Sequence, residues 1–527
     1  MLPRRQTLAA AVAATILLAA MVWLSPDFGF TWDERFQQYY GEQIWDYYHG
    51  DLPRTAFDTS FGNQYLYGGL VEIVAVWAQH VVPLDAYVVR HGVNAVFGWA
   101  GIVLCGVLAG RMFSARAGWL AATLLTILPR YFGDAMNNPK DVPFAVATLA
   151  VLCVTLTIDW RRPRLSPARG ALLAVAVASA LNIRPLGLAL LLYAAGVIGL
   201  AAAVSAWTSR EPDRVTQLLR TCATLAIVAI VAIPAGTIVW PYAQSQPYLR
   251  PVAAFVTTSR LDWAKSFDVL FAGENLGAGS LPWFYVPLWL GMILPPVVLA
   301  GLAASWLVVK QGWQRAVPWA ALVAFVATPV VAAIWRHATI YDGIRHLLFI
   351  VPPIVALAGI GWDAALRSRA AGVASVLLAI GLLEPVVFQV RNHPNQNVYF
   401  TPLMGGPRTA FARYDMDYWG NSMLQAVQWA DRVARASGVP LAISGNPVQN
   451  VDADARRFRS LIPVARANPG YHLDVRLLRG PRDSLRDFAS RADILYTVRT
   501  ADGTPLSIVL PGPAFDQVAD RLNLDPP

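Results

Sequence analysis

Three short polar clusters interrupt a chain that is otherwise strongly apolar, and each holds residue types that can do chemistry. The first is Thr31-Trp32-Asp33-Glu34-Arg35, two adjacent carboxylates just beyond the first hydrophobic segment. The second runs from Arg130 to Pro143 and sets Asp134, Asn137, Asn138, Lys140 and Asp141 between apolar stretches. The third, at 336–346, contains two Arg-His pairs, Arg336-His337 and Arg345-His346. A carboxylate at a membrane edge can take a proton from a hydroxyl. Arginine presents a planar fork to phosphate and histidine adds a donor, so the third cluster suits an anionic ligand. Each cluster also has a plainer reading. Asp33 can cap the helix that follows, a duty open to Thr31 as well. Asp141 fits a helix start with Pro143 in the first turn, which leaves Asp134, Asn137, Asn138 and Lys140 without a purpose. Interfacial arginine often only snorkels to headgroups.

The elements that must position these clusters follow from composition. Of 527 residues, 56% are hydrophobic and 14% charged, against about 25% charged in soluble domains. The chain therefore reads as a polytopic α-helical membrane protein. Apolar runs predict eleven spanning segments near 7–24, 92–110, 117–132, 142–159, 170–182, 186–206, 221–240, 282–309, 317–335, 347–362 and 371–390. With the N-terminus in the cytoplasm, the short inside loops hold fifteen Lys and Arg residues, Arg210 among them. The outside loops are longer and sparser in positive charge. This pattern obeys the positive-inside rule and places all three polar clusters on the outer face. The net charge of +9 is spread over these loops, so it carries topology rather than a nucleic-acid footprint. Cys105, Cys153 and Cys222 lie in apolar stretches, which excludes a disulfide framework or a zinc site.

Residues 25–91 form the first outside loop. Trp32, Phe36, Tyr40, Ile44 and Tyr48 recur every four residues, as on a helix lying along the bilayer surface. The apolar stretch at 65–82 reads as a re-entrant or surface helix, because a twelfth span would reverse every later loop. Glu72 within it is expected on a solvated face. The loop at 241–281 carries interfacial aromatics and glycines around Glu274 and Asn275, as a mobile segment would. Residues 391–527 turn polar, and their alternation of strands and helices predicts an extramembrane α/β domain. Asp415 and Asp417 stand there at strand spacing, better suited to packing or docking than to a metal.

Acidic, mixed and basic clusters on one face suit transfer from a phosphate-linked lipid: a carboxylate base, cations for the departing phosphate, and aromatic helices for the tail. The Asp33-Glu34 pair after one helix, the run Asn138-Pro139-Lys140-Asp141-Val142-Pro143-Phe144 and Arg345-His346 before a late helix resemble the GT-C glycosyltransferases, nearest the family 39 type. That family includes protein O-mannosyltransferases and bacterial aminoarabinose–lipid A transferases. The likeness covers the first 390 residues and implies an inverting transfer from a polyprenyl-phosphate sugar to an acceptor hydroxyl. By resemblance Asp33 is the base and Glu34 an acceptor-binding or supporting residue. Asp134 or Asp141 matches the second acidic position. Asn138, Lys140, Arg345 and His346 contact substrate, the last three as phosphate ligands. It implies no metal and no cofactor beyond the lipid-linked donor. The acceptor is left open among glycan, lipid and protein. The abundance of Ala, Arg, Pro and Trp resembles GC-rich bacteria, which predicts an inner-membrane protein with a periplasmic active face. A transporter or flippase is the rival class. It would place ionisable groups at mid-membrane and show repeated halves, and neither is legible.

Overall fold

The computed structural model describes residues 4–59, 61–208 and 213–524, so Arg210 lies outside the described residues. Helices α1 (Arg4–Leu24), α2 (Trp32–His49), α3 (Leu70–Val81), α4 (Ala86–Met112) and α5 (Ala115–Thr126) are followed by α6 (Pro129–Asn137) and α7 (Asp141–Leu156). Then come α8 (Pro167–Leu181), α9 (Gly187–Thr208), α10 (Arg214–Ala235), and the short α11 (Pro241–Gln244) and α12 (Arg250–Arg260). A hairpin of β1 (Asp268–Phe271) and β2 (Glu274–Gly277) leads to α13 (Tyr285–Ile293), α14 (Pro296–Ala304), α15 (Trp313–Trp335), α16 (Val351–Ala365) and α17 (Ala371–Arg391).

Among the described residues seven helices are long and apolar enough to cross a membrane, and nine if two bent pairs each count as one crossing. The chain is a multi-pass membrane protein. All eleven expected segments contain helix. Those at 117–132 and 170–182 are short, because α5 has 12 residues and α8 has 15. Pro129 restarts the chain as α6, which meets α7 at 112°. That bend turns the second polar cluster across the helix ends instead of leaving it as a plain loop.

The two faces differ in charge chemistry. From Arg345 to Ala365 the chain runs as one helical stretch of 21 residues, about 30 Å at 1.5 Å per residue. At one end Arg345 enters the polar clusters. At the other the buried Asp363 gathers Ser114 at 2.8 Å, Arg367 at 2.9 Å and Arg116.

The 65–82 stretch is helical only as α3, which packs beneath α2. Gly41 permits the contact, since a Cβ there would meet the Glu72 carbonyl at 3.0 Å. Glu72 is not solvated as expected. It is buried and ion-paired to Arg90 of α4, because α3 lies between α2 and α4 rather than on the surface.

Past α17, residues such as Val398, Phe400, Tyr414 and Met416 still pack into the helical core, and α18 (Gly406–Ala410) runs within this stretch. A separate core starts at Met423. It joins α19 (Met423–Ser437), α20 (Val448–Ala455) and α21 (Arg482–Ala489) with β3 (Leu441–Asn446), β4 (Leu461–Pro463), β5 (Leu473–Leu477), β6 (Tyr496–Arg499) and β7 (Pro505–Pro511). The strand order is β4-β3-β5-β7-β6, with β3 parallel to β4 and β5 and the β7 pairings antiparallel. The 268–277 segment, expected to be mobile, is a paired hairpin tied to the following chain by Gly273 N–H donating to the Arg413 carbonyl at 2.9 Å.

The α/β domain is docked through buried polar groups. Asn421 accepts from Gly29 N at 3.0 Å, Asn450 donates to the Phe30 carbonyl at 2.7 Å, and Asp454 accepts from Phe30 N at 3.2 Å. Gly29 is required by the approach: a Cβ would stand 2.4 Å from the Asn421 carbonyl. Burial pushes the Asp454 carboxyl up to about 7. A carboxyl raised in the folded state stabilises fully below its unfolded pKa, and that contribution is lost as pH rises to the folded value. The docking contact thus weakens between about pH 4 and 7, and Asp454→Asn is expected to raise the melting temperature at pH 8 more than at pH 5, measured in the same detergent. Glu72→Ala strands the Arg90 charge and is expected to cost about 3–5 kcal/mol. The Glu72→Leu/Arg90→Leu double variant should recover most of that loss in thermal unfolding.

Candidate active site

Thr31 is the N-cap of α2, in extended conformation, and Glu34 completes a capping box with it. Thr31 N donates to Glu34 Oε2 at 2.8 Å. Glu34 is fully buried, with His91 Nε2 at 3.1 Å from its other oxygen. Of the two roles expected for Glu34, this geometry matches the supporting one beside Asp33. Asp33 is relieved of the cap and projects toward the third cluster.

There Arg345 Nη1 donates to Asp33 Oδ2 at 2.7 Å. The same guanidinium pairs with Asp342 through Nε at 3.1 Å. It lies 4.7 Å from the Tyr341 ring centroid and 5.2 Å from that of Trp419. Asp342 in turn accepts from Arg479 Nη2 at 2.6 Å. Arg479 follows β5, stacks 4.4 Å over Trp32 and donates to the Tyr418 carbonyl at 2.8 Å. The α/β domain thus supplies a member of the site. His346 packs edge-on against Tyr341 at 4.6 Å, and its buried Nδ1 has no hydrogen-bond partner among the described residues. Arg336 and His337 are exposed and take no part.

The second cluster divides by role. Asn138 and Asp141 bond reciprocally, at 3.0 Å between side chains and 2.9 Å from Asp141 N to Asn138 Oδ1. Asp141 is also ion-paired to Arg184. Lys140 donates to the neutral Gln64 at 3.0 Å and stands 4.1 Å over Tyr67. Asn137 donates to the Gly29 carbonyl at 3.0 Å and so helps hold the segment that leads into Asp33. Asp134 is buried in α6, and with burial its carboxylate raises the Tyr418 phenol well above its usual value. Tyr67 marks the middle of the set. Burial raises its phenol, Arg184 and Arg345 pull it down, and Asp141 and Asp33 push it up.

Asp33, Asp141 and Asp342 therefore face Arg184, Arg345, Arg479 and Lys140, and only the lysine makes its contacts to neutral groups. The side chain of Asp33 keeps 29% of its surface open, against 8% for Arg345. No group of three or more His, Cys, Asp or Glu suited to a metal occurs among the described residues. Asp417 caps the turn into α19, accepting from Asn421 N at 3.0 Å and Ser422 N at 2.8 Å.

Arg184, Asp342, Arg479, Gln64 and Tyr67 were not singled out from sequence. Arg184 and Asp342 offered a signal, as charges in the loops between apolar segments where positive residues are scarce. Arg479, among many charges of a polar domain, offered none.

This helical arrangement, with an α/β domain set against the polar clusters, is a fold shared with a solved membrane protein. The structure of ArnT from Cupriavidus metallidurans bound to undecaprenyl phosphate superposes with a TM-score of 0.50 and 15% identity, covering 95% of this chain and 98% of that one. The apo form of ArnT gives 0.49 at 15% identity over the same shares. The oligosaccharyltransferase of Archaeoglobus fulgidus gives 0.46 at 13% identity, covering 79% of this chain and 57% of that one. No family model and no curated protein sequence matches the chain.

Because Thr31 and Glu34 carry the cap together, their losses should couple. Thr31→Ala is expected to cost about 1 kcal/mol, and Glu34→Ala more, since His91 also loses its partner. The double variant should fall short of the sum in thermal unfolding.

Proposed function

We propose that the protein is an inverting glycosyltransferase that moves a sugar from a polyprenyl-phosphate donor to an acceptor hydroxyl at the periplasmic face of a bacterial inner membrane. The observation that carries this reading is a partly open carboxylate, Asp33, free of capping duty and clamped by Arg345 beside the Lys140 ammonium. ArnT, which shares the fold, was crystallised with undecaprenyl phosphate, and a lipid phosphate is the kind of anion these cations suit.

In the proposed step the Arg345 pair holds Asp33 in orientation. The second carboxylate oxygen faces the acceptor hydroxyl and takes its proton as the acceptor oxygen bonds to the anomeric carbon. The bond from that carbon to the phosphate oxygen breaks, and its electron pair leaves with the lipid phosphate. Attack and departure lie on opposite sides, so configuration inverts. Lys140 and Arg184 neutralise the growing phosphate charge, while His346, whose imidazole burial and the neighbouring Arg345, Arg184 and Lys140 keep uncharged, offers it a hydrogen bond. Fixed cations of the chain supply what a metal would, so the reaction as drawn needs no ion and no cofactor. Tyr67 and Tyr341 wall the site against water. Tyr40 and Ile44, on the face of α2 that the spacing pointed at the headgroups, pack instead against Phe57 inside the protein.

The test uses full-length protein in lipid nanodiscs with radiolabelled polyprenyl-phosphate sugars and membrane extract as acceptor source. Wild type is expected to consume one donor, and Asp33→Asn, which keeps shape but not basicity, to lose about 10²–10⁴ of the rate. Equal rates for a variant that remains monodisperse would remove Asp33 from the chemistry.

A further inference from the structure

Strands β3 and β5 run parallel side by side, with Ile443 opposite Leu473 and Asn446 opposite Arg476. From β3 the chain passes through α20 to β4 on one flank, while β5 lies on the other. In open α/β sheets the carboxyl ends of strands leave a crevice where the winding reverses, and ligands bind there. Here that crevice is only partly covered, with Asp268, Asn275 and Asn446 exposed along it. It faces Trp32, the residue before Asp33, across a cleft of about 250 Å³. The walls bring together Asn446 at the end of β3, Arg479 after β5, Trp32, Asp268 and Asn275 of the hairpin, and Asp415. The glycosyl transfer drawn above uses none of these walls directly.

Their chemistry selects an occupant. Two carboxylates and two carboxamides are planar groups that bond adjacent hydroxyls, and an indole offers an apolar face to a sugar ring. Arg479 is already engaged by Asp342 and the Tyr418 carbonyl, so the cleft has no spare positive charge for a phosphorylated acceptor. A polar lining likewise rejects acyl chains. Its volume falls below the ~300–1,000 Å³ of pockets for drug-sized ligands, and suits one or two sugar rings.

We infer that this cleft is the acceptor subsite and that the acceptor is a neutral carbohydrate. The inference rests on the transferase reading and narrows its acceptor from glycan, lipid or protein to a glycan. The geometry links the subsite to the reaction: Arg479 joins Asp342, Asp342 joins Arg345, and Arg345 joins Asp33. A ring lodged between the hairpin and β3 presents a hydroxyl beside Trp32, next to the base. Arg479 is a positioning residue in this scheme.

Binding is measured apart from turnover, by saturation-transfer NMR on full-length Asp33→Asn protein in nanodiscs. The probes are neutral hexasaccharides of mannan, glucan and galactan, with a basic peptide and a phosphorylated lipid headgroup as comparators. One hexasaccharide is expected to bind, and Asn275→Ala/Asn446→Ala to weaken it at least tenfold. Both side chains are exposed, so the double variant should keep its melting temperature. Absence of oligosaccharide binding, binding unmoved by the double variant, or preference for the peptide or headgroup overturns the inference. Donor hydrolysis by wild type without oligosaccharide reports separately on the transferase reading. If hydrolysis occurs and no hexasaccharide binds, the subsite alone falls. If a hexasaccharide binds and no donor is ever consumed, the acceptor role and the transferase reading fall together.

Discussion

A guanidinium removed from water must be paired, and the site is arranged around how Arg345 meets that demand. Its partners are Asp33, 312 residues away in sequence, and Asp342, three residues away. Tyr341 and Trp419 cover its faces. Removing one partner from such a buried set leaves an uncompensated charge, which costs more than the pair contributes. The fold is therefore under pressure to bring the first outer loop against the stretch before α16. That requirement fixes where Asp33 stands relative to Lys140, Arg184 and His346.

A second constraint acts on the backbone just upstream. The peptide groups of Gly29 and Phe30 are held by Asn137 of α6 and by Asn421, Asn450 and Asp454 beyond α17. Backbone groups buried at a junction must find partners, and here side chains from two distant parts of the chain provide them. The segment entering α2 is thus clamped from both sides, and the capping box sets the helix direction. Neither device touches a substrate, yet both aim the carboxylate.

Much of this was legible in the sequence because it is local. Apolar runs pointed to the helices. The Asp33-Glu34 pair, the Asn138–Asp141 run and Arg345-His346 each announced themselves by sitting at helix ends where polar residues have few reasons to be. Sequence could not divide labour within a pair. Asp33 and Glu34 are chemically alike, and only the helix register shows that the third position after Thr31 is spent on the cap. Glu72 was misread because an apolar helix with one acid looks the same on a surface as between two helices. The strand β7, bounded by Pro505 and Pro511, hid behind its prolines, which sit at its ends where ladder bonds are dispensable. Arg479 was out of reach for another reason. Its partners are set by tertiary docking, and nothing near it in sequence records them.

The path from Asp33 to Arg479 also has a direction in time. The two residues stand at opposite ends of the order in which the chain is made, and the ion pairs between them close only when β5 has formed against β3 and β7. A nascent chain would already carry its helices and its carboxylate while Asp342 still lacked its second arginine. On the transferase reading proposed above, the α/β domain would act as an assembly checkpoint: chemistry would wait until the last part of the protein had folded, and a chain stalled or clipped short of that point would be inert rather than wasteful.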